Sequence, residues 1–210
     1  MVQAIPQLMT FDEFVAWYPE DGRYELINGR VWEVKPTGLH EQVGAYLNRR
    51  LLVEIDRLQL PYFLPKSCTV KPFGEQSGYL PDVVIVDQTQ LADEPRWQRE
   101  STLIRGISMP LVIEVVSTNW RDDYQRKAAD YEEIGIPEFW IVDYLGLGGR
   151  RYIGTPKQPT FSVYQLVDGE YQVSVFRNTE RIVSPTFPEL NLTLDQVLNA
   201  VSPLSGEINP

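Results

Sequence analysis

The chain of 210 residues is acidic, with 19 lysines and arginines against 29 aspartates and glutamates and a formal net charge of −10. A hydrophobic content of 43% excludes a disordered polyelectrolyte, and the charge disfavours polyanionic partners unless a local basic patch or bound cations are present. The single cysteine, Cys68, excludes an internal disulfide and fits a reducing compartment. The N-terminus lacks the charged and apolar regions of a signal peptide, and no apolar stretch approaches the length of a membrane span. We therefore expect a cytoplasmic protein with a single domain over residues 1–210.

The first part of the chain is predicted to hold a short helix, a hairpin and a long helix. Thr10 and Glu13 have the spacing of a capping box at the start of the first helix. Asn28-Gly29 between two strand-like runs is typical of a type I′ hairpin. The predicted elements are a helix over 11–18, strands over 24–27 and 31–34, and a helix over 39–58 with apolar residues at core spacing.

The middle of the chain combines strand-like runs with one polar excursion. Short strands are expected near 62–64 and 69–71, and Leu80–Asp87 is an apolar run that contains Asp82 near its start. Residues 88–109 are polar and are expected to form a mobile loop beside the site. The continuous β-branched run at 111–116 is typical of a strand covered on both faces.

A helix and a further strand follow this buried strand. Ser117, Thr118 and Asn119 supply capping side chains, while Gly135 and Pro137 are stop signals, so a helix is expected over 120–134. The buried run at 138–143 then predicts a parallel strand reached by a right-handed crossover. The remaining predicted elements are a meander with strands over 161–166 and 171–176 and a helix over 194–201.

Three charged residues in these otherwise apolar elements indicate a functional site. Glu114 lies inside the buried strand, Lys127 lies on the apolar face of the following helix, and each is costly to bury alone. Asp82 and Glu114 converging near an ammonium would suit Mg²⁺ or Mn²⁺, to which Val115 would add its backbone carbonyl. Such an ion polarises a phosphoryl oxygen and generates hydroxide, and Lys127 would orient the water or stabilise the developing charge.

Structural roles are open for the same residues. Glu114 and Lys127 would also make a buried salt bridge that holds helix to sheet, and Asp123 would satisfy Lys127 as a local i, i+4 partner. Asp82 would serve as a strand-start residue after a proline. The dipeptides Arg49-Arg50 and Arg150-Arg151 are usually solvated, with contacts to phosphate as the alternative.

The residues described so far resemble the PD-(D/E)xK restriction-endonuclease-like superfamily and, within it, the Uma-two family of putative endonucleases. The resemblance covers roughly residues 10–200, and the motifs that carry it are Tyr24–Gly29, His40, Pro81-Asp82, Ile113–Ser117, Asp123, Lys127, Tyr131, Gly135, Glu138–Trp140 and Val142-Asp143. Together with the predicted elements it implies an α/β fold with a mixed central sheet flanked by helices, an N-terminal hairpin and a C-terminal β-meander. The nuclease-like core would span about 38–143 and the C-terminal β extension about 150–200.

One position departs from the superfamily pattern. The expected Glu-x-Lys reads Glu114-Val115-Val116, so the basic role falls to Lys127 on the next helix. The resemblance also implies that Glu25 helps to bind the metal and that His40 lies near the substrate. From position alone, Glu25 would be a solvent-facing hairpin residue and His40 a surface or capping residue.

The function implied by the resemblance is that of a divalent-metal-dependent endonuclease acting on phosphodiester bonds in DNA. A C2 homodimer is expected, because related nucleases cut two strands symmetrically and most homo-oligomers are dimers. The alternative from another class is a catalytically silent nucleic-acid-binding or assembly module, which the acidic charge and Val116 favour. A hydrolase acting on other phosphate esters is a third hypothesis, since the same metal site would permit it.

Overall fold

A six-stranded mixed sheet with helices against both faces forms the centre of the computed structural model, which confirms the predicted fold class. The structure describes residues 8–201, so the N-terminal segment in which we expect no signal peptide lies outside the described part of the chain. Within that part, no helix combines the length and the apolarity needed to cross a bilayer.

The elements confirm the predicted order, with several short additions. In chain order they are α1 Phe11–Trp17, β1 Tyr24–Ile27, β2 Arg30–Glu33, α2 Gly38–Leu58, β3 Tyr62–Phe63, β4 Thr69–Val70, β5 Val83–Asp87, α3 Trp97–Glu100, β6 Thr102–Leu103, β7 Leu111–Val115, a π-helical segment Asp122–Lys127, α4 Ala128–Glu133, β8 Glu138–Asp143, α5 Arg150–Ile153, β9 Thr160–Val167, β10 Glu170–Phe176 and α6 Leu194–Val201. The central sheet has the order β10-β9-β8-β7-β5-β3, in which only β7 and β8 are parallel.

Local sequence signals account for the N-terminal elements. The Thr10 hydroxyl accepts a hydrogen bond from the Glu13 N–H at 3.2 Å, and the Glu13 carboxylate accepts one from the Thr10 N–H at 2.8 Å, so the capping box is present. Asn28 and Gly29 have φ values of 49° and 74°, as a type I′ turn requires. The resulting hairpin of β1 and β2 is a separate two-stranded sheet.

Alternation along β7 decides which face of the sheet carries the charged residue. Leu111, Ile113 and Val115 belong to the core cluster that α2 and α6 cover, whereas Val112 belongs to the cluster covered by α4. Side chains two residues apart share a face, so Glu114 points with Val112 toward the helical residues after Asn119. A slip of one residue in register would point this carboxylate into the apolar core beneath α2. Burying an unpaired charge there is costly, which disfavours the shifted register.

The helix predicted over 120–134 is not a regular α-helix. Its residues Asp122–Lys127 adopt π-helical geometry, which sequence periodicity does not reveal. The predicted stop is confirmed, because the Gly135 N–H donates to the Glu132 carbonyl and the Ile136 N–H donates to the Tyr131 carbonyl, each at 3.0 Å. These two hydrogen bonds form a Schellman motif.

The expectation of a loop beside the site at residues 88–109 is wrong. This segment folds into short helical turns and β6, which pairs in parallel with β4. The buried Glu94 carboxylate accepts hydrogen bonds from the N–H groups of Ile104 and Arg105, each at 3.1 Å, and so ties the two ends of the segment together. The segment contributes no residue to the pocket described below.

Candidate active site

The five side chains predicted for the site come from different elements and line one pocket of about 370 Å³. Glu25 lies in β1, His40 in α2, Glu114 in β7 and Lys127 at the end of the π segment, whereas Asp82 directly precedes β5. The structure therefore brings all five predicted side chains together.

The pairing of β5 with β7 sets Asp82 beside Glu114. The strands are antiparallel and Val83 lies opposite Ile113, so the residue before Val83 faces the residue after Ile113. The Asp82 Oδ2 atom accepts a hydrogen bond from the Val115 N–H at 2.7 Å, which fixes the carboxylate against the end of β7. Two carboxylates thus share one end of the sheet, at the wall of the pocket.

Lys127 lies at the centre of a cluster of carboxylates. Its Nζ atom is 3.0 Å from both Glu25 Oε1 and Glu114 Oε2 and 3.7 Å from Asp123 Oδ1. The Tyr131 hydroxyl donates to the second oxygen of Glu114 at 2.8 Å. Only 7% of the Lys127 side chain is exposed, so these ions interact where water screens them little.

The protonation states follow from burial and from the excess of acids. Burial disfavours the ammonium, but Glu114, Glu25 and Asp123 outweigh it and raise the pKa of Lys127 well above its ordinary value. Lys127 is therefore a cation at neutral pH. Burial also raises the pKa of Asp82 and of Glu114, and it raises the pKa of Asp123 to about 8. The neighbouring carboxylates add to these shifts, because one ammonium does not neutralise all of them.

His40 stands behind Asp82 at the start of α2, where the Thr37 hydroxyl accepts a hydrogen bond from its N–H at 3.3 Å. The His40 Nε2 atom lies 2.8 Å from the Val115 carbonyl and 3.4 Å from Asp82 Oδ2. The carbonyl only accepts, so Nε2 carries a proton. Burial lowers the pKa of His40, which favours the neutral ring.

A comparison of the sequence with models of known protein families identifies the family. The model of Uma2, described as putative restriction endonuclease, matches residues 11–195. The chain belongs to the Uma2 family. This is the Uma-two family expected from the sequence. No protein of curated function matches this Uma2 chain.

A solved structure supports the same fold. It is a crystal structure of a putative nuclease belonging to DUF820 from Anabaena variabilis, with a TM-score of 0.67 and 17% sequence identity. The alignment covers 92% of this Uma2 chain and 99% of the other. At that identity the likeness shows a shared nuclease-like fold.

The donor chemistry of the pocket fits a hard divalent cation. Within residues 8–201, no three His, Cys, Asp or Glu side chains are already arranged around one metal position. Asp82, Glu114 and Val115 nevertheless line the pocket and offer oxygen atoms, which Mg²⁺ and Mn²⁺ prefer. An added cation would favour the charged forms of these acids, whose pKa values are raised by burial and, to a smaller extent, by the neighbouring carboxylates.

The structure also shows which of the structural contacts expected for the predicted residues are present. Glu25 is not solvent-facing: it is 7% exposed, and its Oε1 atom accepts from the Leu80 N–H at 2.9 Å. The buried ion pair between Glu114 and Lys127 is present, and Asp123 is its local i, i+4 neighbour. Val116, at the superfamily's lysine position, packs in the apolar cluster beneath α4.

Two residues next to the predicted set were not identified from the sequence as part of this Uma2 site. Tyr131 is among the residues that carry the family resemblance and packs in the core, but its hydrogen bond to Glu114 was not predicted, although its position one turn after Lys127 on the same helix face was a usable signal. Trp32 projects from β2 at the pocket mouth with 52% of its surface exposed, and nothing in the local sequence distinguishes it from an ordinary hairpin residue.

Proposed function

We propose that this Uma2 protein is a divalent-metal-dependent endonuclease that hydrolyses phosphodiester bonds in DNA. The observation that carries the proposal is the convergence of Asp82, Glu114 and Lys127 on one pocket whose mouth is lined by exposed residues such as Lys35 and Leu145. A purely structural ion pair does not require a second carboxylate at the pocket wall. The family and the fold agree with this chemistry.

The oxygen atoms of Asp82, Glu114 and Val115 would hold Mg²⁺ or Mn²⁺ in this site. When bound, such an ion polarises a phosphoryl oxygen and lowers the pKa of a coordinated water. The ammonium of Lys127 stabilises the negative charge that develops on the phosphoryl oxygens during attack, because it is charged and already held in place. The neighbouring carboxylates raise its pKa, so it acts here as a cation.

The other residues of the cluster position these groups. Glu25 and Asp123 hold the Lys127 ammonium from two further sides. Tyr131 binds one oxygen of Glu114 and so orients the carboxylate. His40 holds the Val115 carbonyl and stands next to Asp82, which makes it a positioning residue for both.

Plasmid nicking tests the proposal. Supercoiled plasmid is incubated with Mg²⁺ or Mn²⁺ and either the wild type or the variants Asp82→Asn, Glu114→Gln and Lys127→Met, each checked for folding by circular dichroism. We expect nicking by the wild type and loss of at least two orders of magnitude in each variant. Glu54→Gln is the matched control, since it makes the same chemical change in an ion pair with the partly exposed Arg57 on α2.

The second candidate is a catalytically silent nucleic-acid-binding or assembly module. The observation that favours it is that Lys127 is already satisfied by carboxylates while no preformed group of metal-binding side chains exists among residues 8–201. Binding of plasmid without nicking under every metal condition would select this module over the nuclease.

We further propose a cytoplasmic homodimer. The chain has a single cysteine and therefore no internal disulfide, which suits a reducing compartment. This residue, Cys68, is buried, and burial raises its pKa to about 12, so the thiol is unreactive. A twofold dimer would present two copies of the pocket to the two strands of a duplex. Light scattering coupled to size-exclusion chromatography gives the mass that tests it, and a monomer at micromolar concentration would refute it.

A further inference from the structure

One part of the protein surface differs in charge from the rest of this acidic chain. Around Trp120 and Tyr152 lie four exposed cations, Arg121, Arg150, Arg151 and Lys157; these six residues are called the basic–aromatic surface. No carboxylate lies within salt-bridge distance of these cations among the described residues. In a protein with a net charge of −10, four cations left unpaired in one place need an explanation.

Three of the four cations are held against aromatic rings. The Arg121 guanidinium lies 4.5 Å from the centre of the Trp120 ring, and the Lys157 ammonium lies 6.0 Å from the same ring. The Arg151 guanidinium lies 4.4 Å from the centre of the Tyr152 ring. The Arg151 guanidinium also donates a hydrogen bond to the Tyr152 hydroxyl. Such contacts restrict the cations, and a guanidinium has five N–H groups, so further ones can donate to an anion.

A loop held by hydrogen bonds supports this arrangement. The buried Asp143 carboxylate, at the end of β8, accepts hydrogen bonds from the N–H groups of Leu147 at 2.9 Å and Gly148 at 2.7 Å. The next residue, Gly149, lets the indole approach, because a Cβ atom there would lie 2.8 Å from the Trp120 ring. The loop and the indole therefore pack as one unit.

The basic–aromatic surface is continuous with the pocket. Leu147 lines the pocket, and its carbonyl accepts a hydrogen bond from the Lys157 ammonium at 2.9 Å. Asn119 lines the pocket too and directly precedes Trp120 in the chain. A polymer with one phosphate at Asp82 and Glu114 would therefore have its neighbouring units beside these cations.

We propose that the basic–aromatic surface binds the phosphodiester backbone of the nucleic acid that enters the pocket. This inference rests on the proposed function, and it explains how a protein with a net negative charge would hold a polyanion. Charge complementarity selects the partner, since unpaired arginines contact phosphates and the adjacent rings offer faces on which bases stack. An acidic peptide or an anionic membrane would match the charge but would not place a phosphodiester in the adjoining pocket.

Binding measured without catalysis tests this assignment. A fluorescent 20-nucleotide DNA, single-stranded or duplex, is titrated with protein in EDTA, and anisotropy is followed over a range of salt concentrations. The test variant is Arg121→Ala/Arg151→Ala, which removes two exposed side chains. The control is Arg49→Ala/Arg99→Ala, which removes the same charge from elsewhere, including an arginine 5.5 Å from the Tyr46 ring. Melting temperatures of all the proteins establish that they are folded.

We expect the test variant to lose about two phosphate contacts. The slope of log affinity against log salt should then fall in magnitude by about 1.8 for duplex DNA and about 1.4 for single strands. For duplex DNA, the loss of affinity relative to the wild type should therefore grow about 60-fold as salt is lowered from 1 M to 0.1 M. The control should keep most of the wild-type slope. Equal slopes in the test and control variants, or wild-type protein that binds anionic vesicles but no DNA, would overturn the assignment. Binding that depends on the arginine pair without any plasmid nicking would support the surface while refuting the nuclease.

Discussion

Lys127 is the cation that the buried carboxylates of the pocket share, and the variant Lys127→Met removes its charge while keeping a similar length. Loss of one partner from a buried ion pair costs about 3–5 kcal/mol, because the remaining charge is left uncompensated. For a chain of this size each kcal/mol corresponds to about 2–4 °C, so the melting temperature should fall by roughly 6–20 °C at pH 8. At pH 5 the loss should be smaller, since Glu114 and Asp123, whose pKa values burial raises, take up protons and remove the repulsion.

The assay is urea denaturation followed by tryptophan fluorescence at pH 5 and pH 8. Arg126→Met is the matched control, because Arg126 lies on the same π segment and pairs with Asp122 at 2.9 Å where both side chains are about one-third exposed. Such pairs contribute about 0–1 kcal/mol. The electrostatic account of the cluster is refuted if Lys127→Met costs no more than the control at pH 8, or if its cost is the same at both pH values.

Three further outcomes follow from the same cluster. Without metal, the stability of the wild type should fall as pH rises from about 4 to about 8. The reason is that Asp82, Glu114 and Asp123 keep protons in the folded state that the unfolded chain releases near pH 4. Thermal melts at constant ionic strength check this, and a maximum of stability at pH 8 contradicts it. Saturating Mg²⁺, at 100 times its dissociation constant, should add about 2.7 kcal/mol to the free energy of unfolding, and Asp82→Asn should abolish the gain in calorimetry. Tyr131→Phe should cost about 1.5–3 kcal/mol in urea denaturation, since Glu114 loses a buried hydrogen bond; a cost below 0.5 kcal/mol would mean that water replaces the hydroxyl.

Features set by local patterns were predictable from the sequence. The capping box at Thr10, the type I′ turn at Asn28-Gly29 and the stop at Gly135 depend on neighbours in the chain, and each is confirmed. The proximity of Glu114 and Lys127 was also predictable. A charge inside an apolar strand and a charge on an apolar helix face each need a partner, and consecutive elements of a crossover lie side by side.

Features set by contacts between distant segments were not predictable. The sequence around Glu25 does not reveal that the hairpin packs its carboxylate against Lys127. The family resemblance placed Glu25 in the site, but as a group that helps to bind the metal. The contact of His40 with the Val115 carbonyl depends on how α2 crosses the end of β7. The sequence did not indicate the π-helical geometry of Asp122–Lys127. The apolar pattern at 100° per residue fits the regular α-helical turns on either side, so it gave no sign of a different geometry between them.

The five predicted side chains belong to segments that are far apart in the chain, and this has a consequence during synthesis on the ribosome. Lys127 emerges last, so until the crossover helix docks, Glu25, Asp82 and Glu114 repel one another without their shared counter-ion. Translation intermediates and proteolytic fragments that lack that helix cannot assemble the cluster. Whatever chemistry the pocket performs therefore begins only after the helix that carries Lys127 has docked.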